Sequence, residues 1–421
     1  MAQATHAAFD ARHGVDSHAA SNRPRVSAGA RHDVRLSIHN DLAALEQDWR
    51  AFERTAGCTV FQTFDWMSAW YRNIGARNGV VPVIVTGRDS GGGLLFILPL
   101  AIETGKARRL AWFASDICDY NMPLLAPEFS RHVGRERFLE VWCDLVGRLQ
   151  SHPDFRYDLI HFEKMPEQVG GQPNPMLGFR AVLNPSNAYL TALGADWDSF
   201  YTAKRSSATR RRDRTKRKRL GEFGEVKFVT AAGEQEIRTS FEILKQQKSL
   251  QFARMGVANL FARPGYPEFY RELAESRPDL IHISRLDVGA VPAAVNYGVM
   301  FRGCYYHVLA SYTDHEMCKY GPGAAHLHDL MGYAITHGCK TFDFTIGDER
   351  YKRDWYDTEL KLYDHIAIAT ARGAMVAGPL LAARAVKRWI KQTPIVWDTF
   401  TRLRAWTGAL RGKAAEDKAA D

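Results

Sequence analysis

Apolar and polar positions change period along this chain in an order that occurs twice. From Val80, three short apolar stretches follow one another, VVPVIVTG, LLFILPLAI and RRLAWFAS, separated by turns at Asp89 to Gly93 and Glu103 to Lys106. Runs of this length with punctuating Gly, Asp and Ser read as strands of a meander. After an irregular stretch, helical spacing covers Arg135 to Gln150, and YDLIHFE, Tyr157 to Glu163, reads as a further strand. The later half repeats the order: LIHISRL, PAAVNYGVMF and CYYHVLASY, with turns at Asp287 to Ala290 and Arg302-Gly303, then a helix over 324–337 and a strand over 341–346. Helical segments precede each meander, at Leu42 to Gly75 and Glu234 to Ser276. The halves do not align residue by residue, so the repeat is one of topology.

Between the strand ending at Tyr312 and the following helix stands Lys319-Tyr320-Gly321-Pro322-Gly323. Strand, glycine loop, helix and strand is an order that presents free backbone N–H groups and the positive end of a helix dipole to an anion such as a pyrophosphate. Lys319, Tyr320, Gly321, Gly323 and Ala324 are therefore the candidate phosphate-binding residues, the alternative being an ordinary tight turn. The next strand carries Asp343 between Phe342 and Phe344, so its side chain leaves the apolar face; it is a candidate to act as, or to orient, a general base, the alternative being a capping or ion-pair carboxylate. Lys352, flanked by Arg350 and Arg353, suits phosphate or oxyanion binding, or is a solvated surface cation. His307, on the preceding strand, is a candidate proton acceptor or a structural histidine. The first half has Asp119-Tyr120-Asn121-Met122-Pro123 where the second has its glycine loop. Only the second half is thus expected to hold a phosphorylated donor; the first supports it or binds the acceptor.

These pieces in this order resemble a known family. Meander, glycine loop, helix and strand is the order of the GNAT acyltransferase fold, and the chain resembles the CelD/BcsL group of bacterial acetyltransferases of cellulose and exopolysaccharide synthesis, related to FemAB-type aminoacyl transferases with two GNAT-like domains. The matching residues are Phe61 to Trp66 with Trp70, Leu244 to Phe261, Tyr320 to Gly323, Asp343-Phe344 with Gly347-Asp348, and Tyr351-Lys352 with Trp355. Gly321 departs from the expected Ser, and Thr345-Ile346 separate Asp343-Phe344 from Gly347. The resemblance implies an α/β fold (α+β layered) of two tandem GNAT-like domains with mixed, mainly antiparallel sheets. It also implies acetyl-CoA or another acyl-CoA as donor, a sugar or glycan precursor as acceptor, and an active-site role for Lys352.

Charge adds one feature. The formal net charge is +9, and between Lys204 and Arg219 there are ten Lys or Arg and one Asp, so the excess is local. Residues from Trp197 to Leu220 lack proline and glycine and predict one long basic helix with cations on every face. It is read as a solvated connector or as an anion-binding surface, with nucleic acid disfavoured by the lack of stacking aromatics. Six cysteines without metal spacing exclude a zinc site and a disulfide framework, and His326 with His328 do not share a helix face, so no metal is expected. No apolar run spans a bilayer and no signal core is present, which predicts a cytoplasmic protein, peripheral at the inner membrane if its basic tail binds there.

The expected division is a disordered leader (1–32), an N-terminal GNAT-like domain (33–193), a basic connecting helix (194–222), a C-terminal GNAT domain with the donor site (223–372) and a basic amphipathic helical tail (373–421). The expected activity is acyl transfer from acyl-CoA by direct attack on the thioester. An aminoacyl-tRNA-dependent transferase and a non-catalytic scaffold of a polysaccharide synthase complex are the rival readings.

Overall fold

The computed structural model describes residues 34–392. The leader 1–32, and the part of the tail bearing Val396, Phe400, Leu403, Trp406 and Leu410, lie outside the described residues. The chain begins β1 (Arg35–His39), α1 (Glu46–Glu53), α2 (Phe64–Trp70), β2 (Val81–Arg88), β3 (Leu94–Glu103), β4 (Arg109–Trp112), β5 (Leu124–Leu125), α3 (Phe129–His132), α4 (Gly134–Ser151) and β6 (Leu159–Pro166). Two short strands, β7 (Gln168–Val169) and β8 (Gln172–Pro173), precede β9 (Ala181–Leu183), β10 (Ala188–Ala192), α5 (Trp197–Lys204), α6 (Ser207–Gly221) and β11 (Val226–Thr230). Then come α7 (Gly233–Arg254), α8 (Tyr266–Ser276), β12 (Ile281–Val288), β13 (Val291–Phe301), β14 (Cys304–Tyr312), α9 (Pro322–Thr336), β15 (Thr341–Ile346), β16 (Thr358–Leu360), β17 (Leu362–Ile368) and α10 (Ala371–Gln392).

Two mixed sheets result. The first has the order β1-β2-β3-β4-β6-β17-β9, with β5 paired to β3; the second runs β11-β12-β13-β14-β15-β10-β16. Both contain a meander, one parallel neighbour reached over a helix, and an antiparallel strand beyond it, so the topological repeat is present in three dimensions. The halves also exchange strands. β10, which lies before residue 193, belongs to the second sheet, and β17, which lies before 372, belongs to the first. Sheet membership therefore crosses both expected limits, because each sheet completes its ladder with a strand supplied by the connection to or from the other half.

The halves share a core. Phe61 packs edge-on against Trp66, Tyr120 and Tyr306, and Trp66 against Phe269, with ring centroids 5.1–5.8 Å apart. Such pairs add about 0.5–1.5 kcal/mol each beyond area burial. Arg302, at the β13–β14 turn, donates to the carbonyls of Ala56 and Glu53 in the first half.

The basic connector differs from the expected single helix. Arg205 is extended (φ −126°, ψ 128°) and Ser206 caps a new helix, its Oγ accepting from the Thr209 N–H at 3.2 Å. A serine cap satisfies amides that a continuous helix would bond internally, so the chain breaks there. One face of α6 is also packed. Leu220 joins Met317 and Ala325 in a buried cluster, and Arg217 pairs with Asp329 of α9 at 3.0 Å. Arg211, Arg212, Arg214, Lys216 and Lys218 remain exposed.

Candidate active site

β14 and β15 are hydrogen-bonded in parallel at Cys304↔Thr341, Tyr305↔Phe342 and Tyr306↔Asp343 only. Beyond these pairs β14 continues against β13 as far as Tyr312, whereas β15 continues against β10. The two strands diverge there, so no ladder bonds join 307–312 to 344–346, and this divergence is the wedge. In the first half, β4 and β6 are likewise parallel over three pairs, but the segment after β4 closes the gap. Lys164 Nζ there donates to the carbonyls of Ser115 and Cys118 at 2.6 and 2.5 Å.

The glycine loop stands at the far end of β14. Gly321 adopts φ 69°, ψ 57°, a left-handed conformation that favours glycine, and Pro322 is the first residue of α9. The helix thus starts two residues before the expected Ala324. Ala324 and Ala325 N–H both donate to the Gly321 carbonyl at 3.1 Å, and no side chain caps the helix. A Cβ placed on Gly321 would meet only the Ala324 Cβ at 3.9 Å, and one on Gly323 only the Tyr312 side chain at 3.5 Å or beyond. Side chains therefore do not fill the bend. Lys319 is exposed, its ammonium 5.2 Å from the Tyr320 ring.

Asp343 is buried on the face of β15 opposite Phe342 and Phe344, which pack with Leu330 and Met331 of α9. Tyr120 of the first half donates its O–H to both carboxylate oxygens at 2.8 and 2.9 Å, and Thr345 N–H donates to Oδ1 at 2.7 Å. Burial pushes this carboxyl up to about 7, against the opposing pull of Tyr120 and Thr345. A carboxyl held there is matched to proton transfer at neutral pH. Asp119 keeps partial solvent contact beside it, and enclosure raises that carboxyl too, against Lys164 and a Thr345 hydrogen bond.

Lys352 is 3% exposed, and its place is structural as well as electrostatic. Its Nζ donates to the carbonyls of Thr345 and Ile346 at 3.2 and 3.1 Å and pairs with Glu349 at 2.8 Å. Thr345 has φ 59°, the strained left-handed region for a β-branched residue. The lysine thus holds the bend that turns β15 away from β14. His307 is the first residue of β14 past the last ladder pair, with its ring 5.9 Å from Phe342 and 6.5 Å from Tyr351. Burial, then Lys352 and Lys248, push its protonation down to about 3, so the ring is neutral.

The structure therefore brings Asp343, Lys352 and His307 together around the wedge, with the 319–324 loop at the far end of β14. Tyr120 and Lys248 were not legible as members. The Asp119-Tyr120 stretch stood out only for what it lacked, and Lys248 has no linear signature. Its Nζ donates to the Ala310 carbonyl at 2.9 Å, and burial lowers its pKa. A cavity of about 620 Å³ lined by Asn73, Glu234, Glu268, Arg271 and Glu272 lies against α7 and α8 and includes none of these residues. Among the described residues no group of His, Cys, Asp or Glu could hold a metal ion, and no helix is long and apolar enough to cross a membrane.

Residues 207–353 match the model of the acetyltransferase (GNAT) domain. FemX, a solved structure, superposes with a TM-score of 0.54 at 10% identity, covering 79% of this chain and 97% of FemX. A conserved protein of unknown function from Bacteroides thetaiotaomicron has a TM-score of 0.49 at 10% identity, covering 80% and 100% of the two chains. A tandem GNAT protein from the clavulanic acid biosynthesis pathway has 0.44 at 12%, covering 80% and 99%. No curated protein matches the sequence. The fold is that of FemX over most of both chains, and residues 207–353 resemble a GNAT acetyltransferase domain.

Proposed function

We propose that this protein transfers an acyl group, acetyl in the first instance, from acyl-CoA to a hydroxyl or amine of a sugar or surface-polysaccharide precursor, by direct attack on the thioester. One observation carries the reading: the wedge between β14 and β15 opens beside a buried carboxyl held near neutrality, and β14 leads on to an uncapped helix start. In this reading the amides at Gly321, Gly323 and Ala324, with Lys319 and Tyr320 beside them, take the diphosphate of coenzyme A, the Gly321 and Ala324 N–H groups giving up their bonds to the Cys318 and Gly321 carbonyls. Asp343, oriented by Tyr120, receives the acceptor's proton, and Lys352 fixes the wedge. The first half, 33–193 with β17 in place of β10, forms the acceptor side, and the second, 223–372 with β10 in place of β17, the donor side. The sugar-type acceptor, a cytoplasmic site of action and peripheral contact with the inner membrane or a synthase complex rest on the resemblance to the exopolysaccharide group. Calorimetry with acetyl-CoA tests donor use: saturable binding is expected, lost in Gly323→Trp, and equal binding by that variant counts against the reading.

The exposed guanidinium groups of α6 favour one second reading, in which the donor is an aminoacyl-tRNA. That reading requires tRNA binding with a steep salt dependence, lost when Arg211, Arg212 and Arg214 are neutralised.

A further inference from the structure

A line of polar groups, starting at exposed Thr230 and buried from His282 to His307, crosses the second sheet and ends beside the wedge. Thr230 Oγ1 lies 3.3 Å from His282 Nε2, and His282 Nδ1 lies 2.8 Å from the Tyr305 hydroxyl. Tyr305 meets the Asn296 amide at 2.7 Å, and the other end of that amide meets His307 Nε2 at 3.1 Å. Two backbone groups settle which way the amide points. Gly298 N–H, 3.1 Å away, can only donate, and the Leu309 carbonyl, 3.2 Å away, can only accept. The Asn296 oxygen therefore faces Gly298 and Tyr305, and its nitrogen faces Leu309 and His307.

Every other donor in the line then has one place to go. The single Tyr305 proton is given to Asn296, so the phenol oxygen accepts from His282 Nδ1–H. That leaves His282 Nε2 bare to accept from Thr230. At the other end, Asn296 occupies the lone pair of His307 Nε2, so the neutral ring carries its proton on Nδ1. Burial and the nearby cations Lys352 and Lys248 oppose a second proton. The chain is one-directional, and an amide in its middle cannot relay a proton along it. Bonds aligned in this way polarise one another and strengthen the terminal donor.

We propose that His307 is a catalytic hydrogen-bond donor, presenting Nδ1–H to the acyl carbonyl oxygen in the wedge, and that Asn296, Tyr305 and His282 are positioning residues that hold it in that tautomer. The proposal rests on the acyl-CoA reading above and deepens it. His307 lies on the α9 side of the sheet with Phe342, and Asp343 lies on the opposite side with Tyr120. The acceptor's lone pair forms the new bond to the carbonyl carbon, and the carbonyl π pair moves to oxygen, where Nδ1–H bonds it without transferring its proton. The acceptor's proton goes to Asp343. Collapse re-forms the carbonyl and breaks the carbon–sulfur bond, and the thiolate leaves to be protonated from Asp343 or water. His307 thus serves as an electrophile, in contrast to the proton-accepting role its position on the strand suggests.

Nuclear magnetic resonance of the full chain labelled with ¹⁵N-histidine reads the tautomer directly. The expected result is a neutral His307 protonated on Nδ1 throughout the neutral pH range, moving to Nε2–H in Asn296→Asp, whose carboxylate only accepts. An Nε2–H ring or an imidazolium in the wild type overturns the proposal. In steady-state kinetics His307→Ala is expected to lower kcat by about 10²–10³-fold, the usual loss for an oxyanion donor. The KM for acetyl-CoA should stay within about threefold. His307→Gln, which keeps an N–H donor and guards against a folding failure of the alanine variant, should recover at least about tenfold of that loss. The acidic limb of the pH profile should stay in place in both variants, because Asp343 sets it. Loss of that limb, or a kcat for His307→Ala within about threefold of wild type, overturns the proposal. Failure of the wild type to turn over any acyl-CoA refutes the parent reading and the catalytic role with it, whereas a wrong tautomer in an active enzyme refutes this proposal alone.

Discussion

Replacing Tyr120 with Phe removes the hydroxyl that donates to both Asp343 oxygens and keeps the ring that packs 5.8 Å from Phe61. A hydrogen bond to a charged group contributes about 1.5–3 kcal/mol, and about 1.4 kcal/mol is a tenfold change in proton affinity. Without the Tyr120 hydroxyl the Asp343 carboxyl, now at about 7, should therefore titrate at roughly 8–9. Its ionised fraction at neutral pH drops from about half to roughly 1–10%, so turnover there falls about 5- to 50-fold. Initial rates of acyl transfer measured across a pH series read this directly. The acidic limb should move upward, and the deficit should shrink as pH rises. A limb that stays in place, or a loss independent of pH, would refute the assignment of Asp343 as the titrating base.

Three further outcomes follow from the same geometry. Asp343 titrates at about 7 in the folded chain against an ordinary 3.8, so the folded state binds a proton that the unfolded state has released. The associated stability is fully present below about pH 4 and lost as pH rises through about 7, up to roughly 4 kcal/mol. Asp343→Asn does not titrate, so its Tm relative to wild type should climb between about pH 4 and 7 and level off above, while activity falls at least about 10²-fold; a constant difference in Tm contradicts the buried charge. Lys352→Met leaves the Thr345 and Ile346 carbonyls without their donor. Urea denaturation should show a loss of about 2 kcal/mol or more, and a change under about 0.5 kcal/mol would exclude the bracing role. Gly321→Val should cost about 1–2 kcal/mol through its left-handed backbone rather than through a clash, since an added Cβ there meets only Ala324; unchanged stability contradicts the observed bend.

The sequence carried the repeat well where periodicity and punctuation were strong. The strand over 341–346 and the meander from Ile281 to Tyr312 coincide with the observed elements because alternation and Gly turns mark them locally. Alternation also told correctly that Asp343 leaves its strand opposite Phe342 and Phe344. The break at Arg205-Ser206 was missed because a run of good helix formers on both sides hides a single capping serine. Strand exchange was invisible for a different reason. β10 and β17 lie in the connections, and their partners, β15 and β6, are chosen by ladder completion across the fold rather than by anything local. The Tyr120–Asp343 contact spans 223 residues, and the Asn296–His307 contact depends on a bulge in β13–β14 pairing near Gly298. Neither leaves a trace in spacing.

The most direct measurement is a crystal structure of the protein with acetyl-CoA. The diphosphate should lie on the amides of Gly321, Gly323 and Ala324, with the thioester between β14 and β15, the acyl carbon facing Asp343 and its oxygen facing His307. Acetyl-CoA seated elsewhere, for instance in the cavity between Asn73 and Arg271, with the wedge closed, would contradict the account.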